Sequence, residues 1–349
     1  MKLKTLTLSH FRNFSERAFD LDHPLSFIQG HNGTGKTAIL EALVLLFYGR
    51  SFRTHQPRHI IQTGQPHCQV TVLAEQSGDS WFMGMQKDLQ GETLVKLNKT
   101  PLASHLPLAR LLPINILHPE MTGLLLSERQ SRRQLLDWGL FYVNPEFITL
   151  WQRYQRILKQ RNAALKQASH ARNSNALRVW DEALVEAGDL IHRARETYSQ
   201  QLIQSFMQLD PAFFSEEDIQ LRYTPGWPKE LSFKDALRQH HVQDVEMGYT
   251  LVGPHRADLV IKSHQLPLKM RLSRGQQKKV IWALKLAQSL TLKDQKISTL
   301  TLMDDLAAEL DLTYQKKLFE IAQSIPGQLI VTGILLPDYL PEEHCVIQV

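Results

Sequence analysis

The stretch Gly30-His31-Asn32-Gly33-Thr34-Gly35-Lys36-Thr37 constrains this chain more than anything else in it. An apolar run, Leu25-Ser26-Phe27-Ile28, leads in, and an amphipathic run from Ala38 to Phe47 leads out. Strand, glycine-rich loop and helix, with the spacing G-x-x-x-x-G-K-[ST], make the pattern of a phosphate-binding P-loop. Glycines let the backbone wrap close to β- and γ-phosphates, so that successive N–H groups face them. The first turn of the new helix adds the positive end of its dipole. Lys36 is expected to reach the terminal phosphates, and the Thr37 hydroxyl to ligate Mg²⁺. The alternative, an ordinary glycine turn ahead of a helix, fits less well with the strand and helix on either side.

Two distant pieces narrow the reading. Ser273-Arg274-Gly275-Gln276-Gln277 opens a long helix running through Leu290. Leu300-Thr301-Leu302-Met303-Asp304-Asp305 reads as a buried strand ending in two carboxylates, and it runs into Ala308-Glu309-Leu310-Asp311. P-loop, S-x-G-Q and a hydrophobic run ending in Asp, in that order, resemble the ATP-binding-cassette (ABC) ATPases. The resemblance implies an α/β P-loop ATPase head, ATP and Mg²⁺ as cofactors, and an ATP-dependent homodimer. In that dimer the P-loop of one subunit, Gly30 through Thr37, holds the phosphates. Ser273, Gly275 and Gln276 of the other subunit cover the γ-phosphate.

The 349 residues suffice for about two domains with their own cores. The 43% hydrophobic and 21% charged content is that of an ordinary globular protein. A formal net charge of +5 is compatible with nucleic acid without demanding it. Cys68 and Cys345 form neither a metal-type cluster nor a disulfide framework. The N-terminal Met1-Lys2-Leu3-Lys4-Thr5-Leu6-Thr7-Leu8 is too polar and short for a signal peptide. No apolar run approaches the roughly 18–20 residues of a membrane helix. A cytoplasmic protein with no membrane partner is expected.

Residues 2–8 read as a strand with Leu6 and Leu8 on one face, and Phe11-Arg12-Asn13-Phe14 as a turn. Residues 67–74, 81–87 and 93–98 alternate as antiparallel strands do, and 111–117 read as another buried strand. Over residues 145–208 glycine and proline nearly vanish. Apolar residues fall there at Phe147, Trp151, Tyr154, Leu158, Leu165 and Ala168, then at Leu177, Trp180, Leu184, Ala187, Ile191, Ala194 and Tyr198. Two helices joined by a polar turn over 169–175 make an antiparallel hairpin with arms on the order of 35–45 Å. The pattern admits both a packed helical subdomain and a projecting arm. Strand character returns at 249–261. A helix at about 312–324 and strands at 328–332 and 345–349 follow the double-Asp strand. The expected division is a head of residues 1–118 and 249–349, interrupted by a mainly helical arm domain of residues 119–248 with its hairpin at about 145–208.

The insertion between P-loop and S-x-G-Q carries a closer resemblance. Transporter cassettes have a much shorter gap there, and structural-maintenance-of-chromosomes ATPases a far longer one. The intermediate length resembles the RecF family of bacterial recombination mediators, and local motifs agree. Phe11-Arg12-Asn13-Phe14 is similar to that family's F-R-N-[YF], and Gly49-Arg50-Ser51-Phe52-Arg53 to its G-x-S-F-R. Pro119-Glu120, Arg132-Arg133 and Leu136-Asp137 resemble its middle signature, and Gly253-Pro254-His255-Arg256 its G-P-H-R. Asp304-Asp305 with Ala308-Glu309-Leu310-Asp311 resembles its D-D-x-x-[SA]-E-L-D. The chain departs from the family pattern at His118, Ser127, Arg129 and Ala257, where the family usually has Ser or Thr, Gly, Pro and an acid. The resemblance implies an ATP-dependent clamp on double-stranded and gapped DNA, slow ATP hydrolysis, RecR and RecO as partners, and a part in recombinase loading. The alternative is an ABC ATPase subunit of another protein or membrane assembly without DNA binding. The insertion and the G-P-H-R match argue against it.

Within that frame Asp304 is expected to coordinate Mg²⁺ with Thr37, and Asp305 to polarise the attacking water. Many ABC ATPases have Glu at that place. Asp is one methylene shorter, so the water must come closer or be relayed. A capping carboxylate after the strand is the other reading of Asp305. Thr332 falls where transporters have a switch histidine, and it can hydrogen-bond a γ-phosphate without carrying charge. Lys36, Asp305 and Thr332 are thus the catalytic candidates of a slow ATPase. Arg12, Arg50 and Arg53 are candidate phosphate or DNA contacts. Between Glu146 and Asp181 there is no acid, while Arg153, Arg156, Lys159, Arg161, Lys166, Arg172 and Arg178 are present. Arg153, Arg156, Lys159 and Lys166 are the DNA-binding candidates on that helix, reading backbone rather than base. The alternative is a solvated face neutralised by Asp181, Glu182, Glu186 and Asp189.

Overall fold

The computed structural model describes residues 1–171, 175–209, 218–306 and 310–349. The chain forms two compact units, one of Met1–Pro119 with Trp282–Val349 and one of Glu120–Ile281. The first opens with β1 (Lys2–Phe11), β2 (Phe14–Asp20), β3 (Leu25–Gln29), α1 (Lys36–Tyr48), β4 (His67–Gln76) and β5 (Asp79–Asp88). Next come β6 (Thr93–Leu97), β7 (Thr100–Leu102), α2 (Leu106–Leu111) and β8 (Ile114–Leu117). The insertion runs through α3 (Pro119–Ser127), α4 (Arg129–Val143), α5 (Phe147–Ala171), α6 (Asn175–Met207), β9 (Ile219–Thr224) and α7 (Phe233–Met247). It ends in β10 (Asp258–Ser263), β11 (Leu266–Pro267) and α8 (Leu268–Arg271), and α9 (Arg274–Asp294) carries the chain onward. β12 (Thr299–Met303), α10 (Leu312–Gln323), β13 (Gly327–Gly333) and β14 (Cys345–Gln348) close the first unit.

In that unit α1 lies between two sheets. The parallel sheet has the order β14-β3-β13-β12-β8. Every residue of β8 and β12 is buried, the near-continuous run that a parallel strand covered on both faces requires. The antiparallel sheet has the order β2-β1-β4-β5-β6-β7. In β4, Cys68, Val70, Val72 and Ala74 are buried and alternate with more open residues, as in a sheet with one wet face. Helix α1 touches β13 on one side and β1, β4 and β5 on the other. Ala38 through Phe47 are all buried, so the helix is apolar around its circumference except at Glu41.

Three local expectations change. Of residues 111–117 only Ile114–Leu117 is strand, because α2 ends at Leu111. Of residues 249–261 only the part from Asp258 pairs. A 3₁₀ turn at Pro254–Arg256, entered through Gly253 at φ 134°, precedes it, and buried Val252 supplied the apolar signal without a ladder. Strand β2 escaped notice because only Phe14 and Phe19 of its residues are buried.

In the second unit α5 and α6 form the hairpin. The expected seam is buried at Phe147, Tyr154, Leu158, Leu165, Leu177, Leu184, Ala187, Ile191 and Tyr198, whereas Trp151, Trp180 and Ala194 are half-buried. The side chain of Ala168, the turn over 172–174 including Arg172, and Ala308 with Glu309 lie outside the described residues. Within its own unit the hairpin does not stand alone. Helices α4 and α7 pack on it, and the antiparallel sheet β11-β10-β9 touches α4 and α6. Strands β9 and β10 pair over their whole length. That pairing draws residues 249–281 into the inserted unit, although the sequence pattern assigned them to the head; the other boundary, after residue 118, falls beside Pro119. Among the described residues no helix is long and apolar enough to cross a membrane.

Candidate nucleotide-binding site

The P-loop leaves β3, a strand flanked on both sides in the parallel sheet, and ends in the first turn of α1. Gly33 and Gly35 take φ values of 85° and 112°, the left-handed region that glycine occupies without strain. A Cβ on Gly35 would lie 2.5 Å from the Phe14 ring and 2.8 Å from Asn13 Oδ1. The absent side chain thus lets the tip of the β1–β2 hairpin close on the loop, where Asn13 Nδ2 donates to Thr34 O at 2.7 Å. His31, Asn32 and Gly33 are exposed, and Lys36 is buried. The Lys36 ammonium donates to Gly30 O and His31 O, each at 2.8 Å, which holds it along the inner face of the loop.

One run of hydrogen bonds connects the loop to the carboxylates. Thr37 Oγ1 donates to Asp304, 2.9 Å from Oδ1 and 3.0 Å from Oδ2. Thr332 Oγ1, on β13, donates to Asp304 Oδ1 at 2.8 Å and accepts from the Asp305 N–H at 2.9 Å. Parallel pairing of β12 with β13 and of β13 with β3 sets these groups side by side at the strand ends. Burial pushes the Asp304 carboxyl above its ordinary range; the Thr332 and Thr37 hydroxyls oppose the rise, and the Asp305 charge adds to it. Asp305 sits at φ 51°, an uncommon conformation for a non-glycine residue, at the point where the strand breaks off.

Sequence reasoning missed Glu41. It is fully buried and accepts from Arg12 Nε at 2.8 Å, from Arg12 Nη2 at 2.6 Å and from the Ser51 hydroxyl. Arg53 Nη1 lies 3.6 Å from it. The F-R-N-F and G-R-S-F-R segments therefore meet on one carboxylate of the P-loop helix. A lone acid inside a wholly apolar helical run was the available signal. Arg12, Arg53, Lys36, Thr37, Asp304 and Asp305 line one pocket, whereas Arg50 is exposed and lies outside that lining.

In the second unit, Ser273 and Gln276 cap α9 reciprocally. The Ser273 N–H donates to Gln276 Oε1 at 2.9 Å, and the Gln276 N–H to Ser273 Oγ at 3.3 Å. Ser273 and Arg274 are exposed and Gly275 is half-buried. On α5, Arg153, Arg156, Lys159 and Lys166 are exposed. Arg153 pairs with Glu186 across the hairpin at 3.1 Å, and Arg178 with Glu182 at 3.5 Å. Arg161 does not belong to that face. It is fully buried, with Asp181 at 2.6 Å and Asp244 and Thr250 at 2.7 Å.

The middle signature and G-P-H-R also converge. Arg132 binds Asp258 through two N–H groups at 2.7 and 2.8 Å, and Arg133 donates to Ala257 O at 3.0 Å. Arg195 joins Asp137, at 2.8 and 2.9 Å, to Pro254 O at 2.6 Å. His255 lies between Tyr154 Oη, 2.7 Å from Nδ1, and Thr250 O, 3.0 Å from Nε2. Burial, helped by neighbouring arginines, lowers its pKa to about 4.

The RecF/RecN/SMC N terminal domain family matches residues 2–337. The DNA replication and repair protein RecF of Acinetobacter baylyi is 40% identical over 334 residues, covering 96% of this chain and 92% of that protein. RecF of Histophilus somni is 36% identical over 348 residues, covering 99% and 96%. A solved structure of the recombination mediator protein RecF-ATP in the RecFOR pathway superposes with a TM-score of 0.85 at 24% identity, covering 99% of this chain and 95% of that one. The fold is that of an ABC-type P-loop ATPase head interrupted by a mainly helical insertion. The chain belongs to the RecF family.

Proposed function

We propose that this chain is an ATP-dependent DNA clamp of the RecF type, acting in recombinational repair and replication restart. One observation carries the reading: Thr37, Asp304, Thr332 and Asp305 form a single hydrogen-bonded run beside the P-loop lysine. The backbone of Gly30 through Gly35 and the Lys36 ammonium bind the phosphates of ATP. Thr37 and Asp304 are hard oxygen donors within 3.0 Å of each other and suit Mg²⁺, which would neutralise charge on the β- and γ-phosphates. Asp305 accepts a hydrogen bond from the attacking water and orients it. Thr332 holds Asp304 in place with its one hydroxyl proton, and it hydrogen-bonds a γ-phosphate oxygen only by turning that proton away from the carboxylate. With a short base and an uncharged threonine, hydrolysis is slow and ATP serves as a clamp signal.

Ser273, exposed at the head of α9, acts with Gly275 and Gln276 on the γ-phosphate held by a second copy. ATP thereby closes a homodimer on double-stranded DNA near a gap. Arg153, Arg156, Lys159 and Lys166, with Arg50, contact the phosphate backbone, so binding is independent of sequence, whereas Arg53 lines the nucleotide pocket. RecR and RecO are the proposed protein partners, supported by family membership and by the RecFOR pathway of the solved relative. The test is DNA binding by the purified chain with and without ATP and Mg²⁺, titrated in salt, with mass measured in parallel. A monomer without nucleotide, an ATP-dependent dimer and salt-sensitive DNA affinity are expected. Mass and DNA affinity both indifferent to ATP would remove the clamp reading.

A further inference from the structure

We propose that Glu41 is a positioning residue for the nucleotide: its buried carboxylate sets the Arg53 guanidinium at the mouth of the P-loop pocket, where it meets the terminal phosphate charge. The inference rests on the reading of this pocket as an ATP site. Glu41 stands one helical turn after Thr37, so the two side chains share a face of α1. No part of Glu41 is accessible to solvent. A carboxylate so placed needs cationic and hydrogen-bonding partners to stay charged.

Its two arginines are not equivalent. Arg12 makes the bidentate contact and is itself held by the backbone, its N–H donating to Ile60 O at 2.7 Å while its φ is 56°. That arginine is committed to the fold. Arg53 reaches Glu41 only at 3.6 Å, beyond hydrogen-bond range, and its side chain is 41% exposed. Among the described residues the Arg53 guanidinium makes no hydrogen bond, so its donors remain for a ligand. The Ser51 hydroxyl ties the same carboxylate to the Arg53 main chain, accepting from the Arg53 N–H at 2.9 Å and from the Thr54 N–H at 3.1 Å. Glu41 thus fixes both ends of the residue: the backbone through Ser51, the guanidinium by charge. Without the carboxylate, Arg12 and Arg53 would repel each other and Lys36 in the same pocket. Arg53 would then swing toward water.

The experiment compares equilibrium binding of ATP and of ADP to the full chain. Glu41→Gln and Arg53→Gln should each weaken ATP by about tenfold, the effect of removing one charge-assisted hydrogen bond, and ADP by less than about threefold. The double variant should lose no more than either single one, because one residue acts through the other. Glu41→Asp keeps the charge but shortens the tether, and it should also lower the ATP-to-ADP preference. It carries the test if Glu41→Gln does not melt cooperatively. An unchanged ATP-to-ADP preference in the Glu41 variants, or additive losses in the double variant, overturns the proposal. Lys36→Ala separates the two readings. If the parent fails to bind ATP, or binds it no better than Lys36→Ala, the nucleotide site itself is wrong. If the parent binds in a Lys36-dependent way and the Glu41 variants match it, only the positioning role fails.

Discussion

Fully buried side chains in the two units put arginine to different uses. In the head the fully buried Glu41 holds Arg12 by a bidentate contact and has Arg53 nearby at the rim of a pocket. In the insertion Arg161 and Arg195 are themselves fully buried, Arg161 between Asp181 and the equally buried Asp244, and Arg195 against Asp137. An interior acid leaves cations facing outward, where an anionic ligand can meet them. An interior arginine directs its fork of donors at carboxylates and carbonyls and ties helices together. Arg161 joins α5 to α6 and α7, and Arg195 joins α6 to α4 and to the G-P-H-R turn. Arg53 at the pocket and Arg161 in the interior thus show one residue type presenting charge in one place and building structure in another.

The contrast predicts that removing a charge from the head changes chemistry, and removing one from the interior of the insertion changes stability. Asp305→Asn should slow ATP hydrolysis by about 10²- to 10⁴-fold and hold the ATP-bound dimer, with melting unaltered. Hydrolysis at the parent rate would show that Asp305 is not the water-polarising group. Arg161→Met should behave inversely. It strands Asp244 in the interior and should lower stability by about 3–5 kcal/mol in denaturant titrations, while the folded fraction binds ATP normally. A loss below about 1 kcal/mol would mean that the staple is dispensable.

Acid should weigh on both units, on the head through His118, whose pKa burial lowers to about 4, and on the insertion through His255. His255 is neutral when folded, its pKa about 4 against an unperturbed 6.5. Between those values the unfolded chain binds the extra proton, so stability falls as pH drops through that window, by up to about 3 kcal/mol at its lower end. The comparison of His255→Gln with the parent, melted at several pH values, should show a flatter profile for the variant. Parallel profiles would assign the acid sensitivity elsewhere. Smallest in stability is the exposed face of α5. Replacing Arg153, Arg156, Lys159 and Lys166 together by Glu breaks the surface pair of Arg153 with Glu186, itself worth about 1 kcal/mol or less. DNA binding should nevertheless weaken on every sequence, the salt slope flattening by about 0.9 for each phosphate that the variant no longer neutralises. DNA affinity equal to the parent's would move the interface to the head, starting at Arg50.

The P-loop, the buried strand into Asp304 and the helical hairpin were legible because each depends on short-range pattern: glycine spacing, an apolar run, or a repeat of three and four. The helix that S-x-G-Q opens was legible too, although the reciprocal cap between Ser273 and Gln276 was not part of that reading. Arg161 is one of the basic residues of the acid-free stretch, and its charge gave no sign that, among those described, it alone turns inward. Its step falls within the seam between Leu158 and Leu165, but the acids that neutralise it come from α6 and α7, one of them more than 80 positions away. Glu41 went unread for the same reason: its partners Arg12 and Arg53 belong to other segments.

By itself the sequence determined the local chemistry and the element types, because backbone conformation and amphipathicity are set by neighbours a few residues apart. That part includes the glycines that must wrap a phosphate, the carboxylates at a strand end, and the two long helices. Tertiary structure decided which charges face inward, where the inserted unit ends, and that Thr332 joins Asp304 to Asp305. Those outcomes depend on strand order and on burial. Whether an arginine binds a ligand or staples a core is settled by whether its surroundings exclude water, and that is a property of the assembled fold.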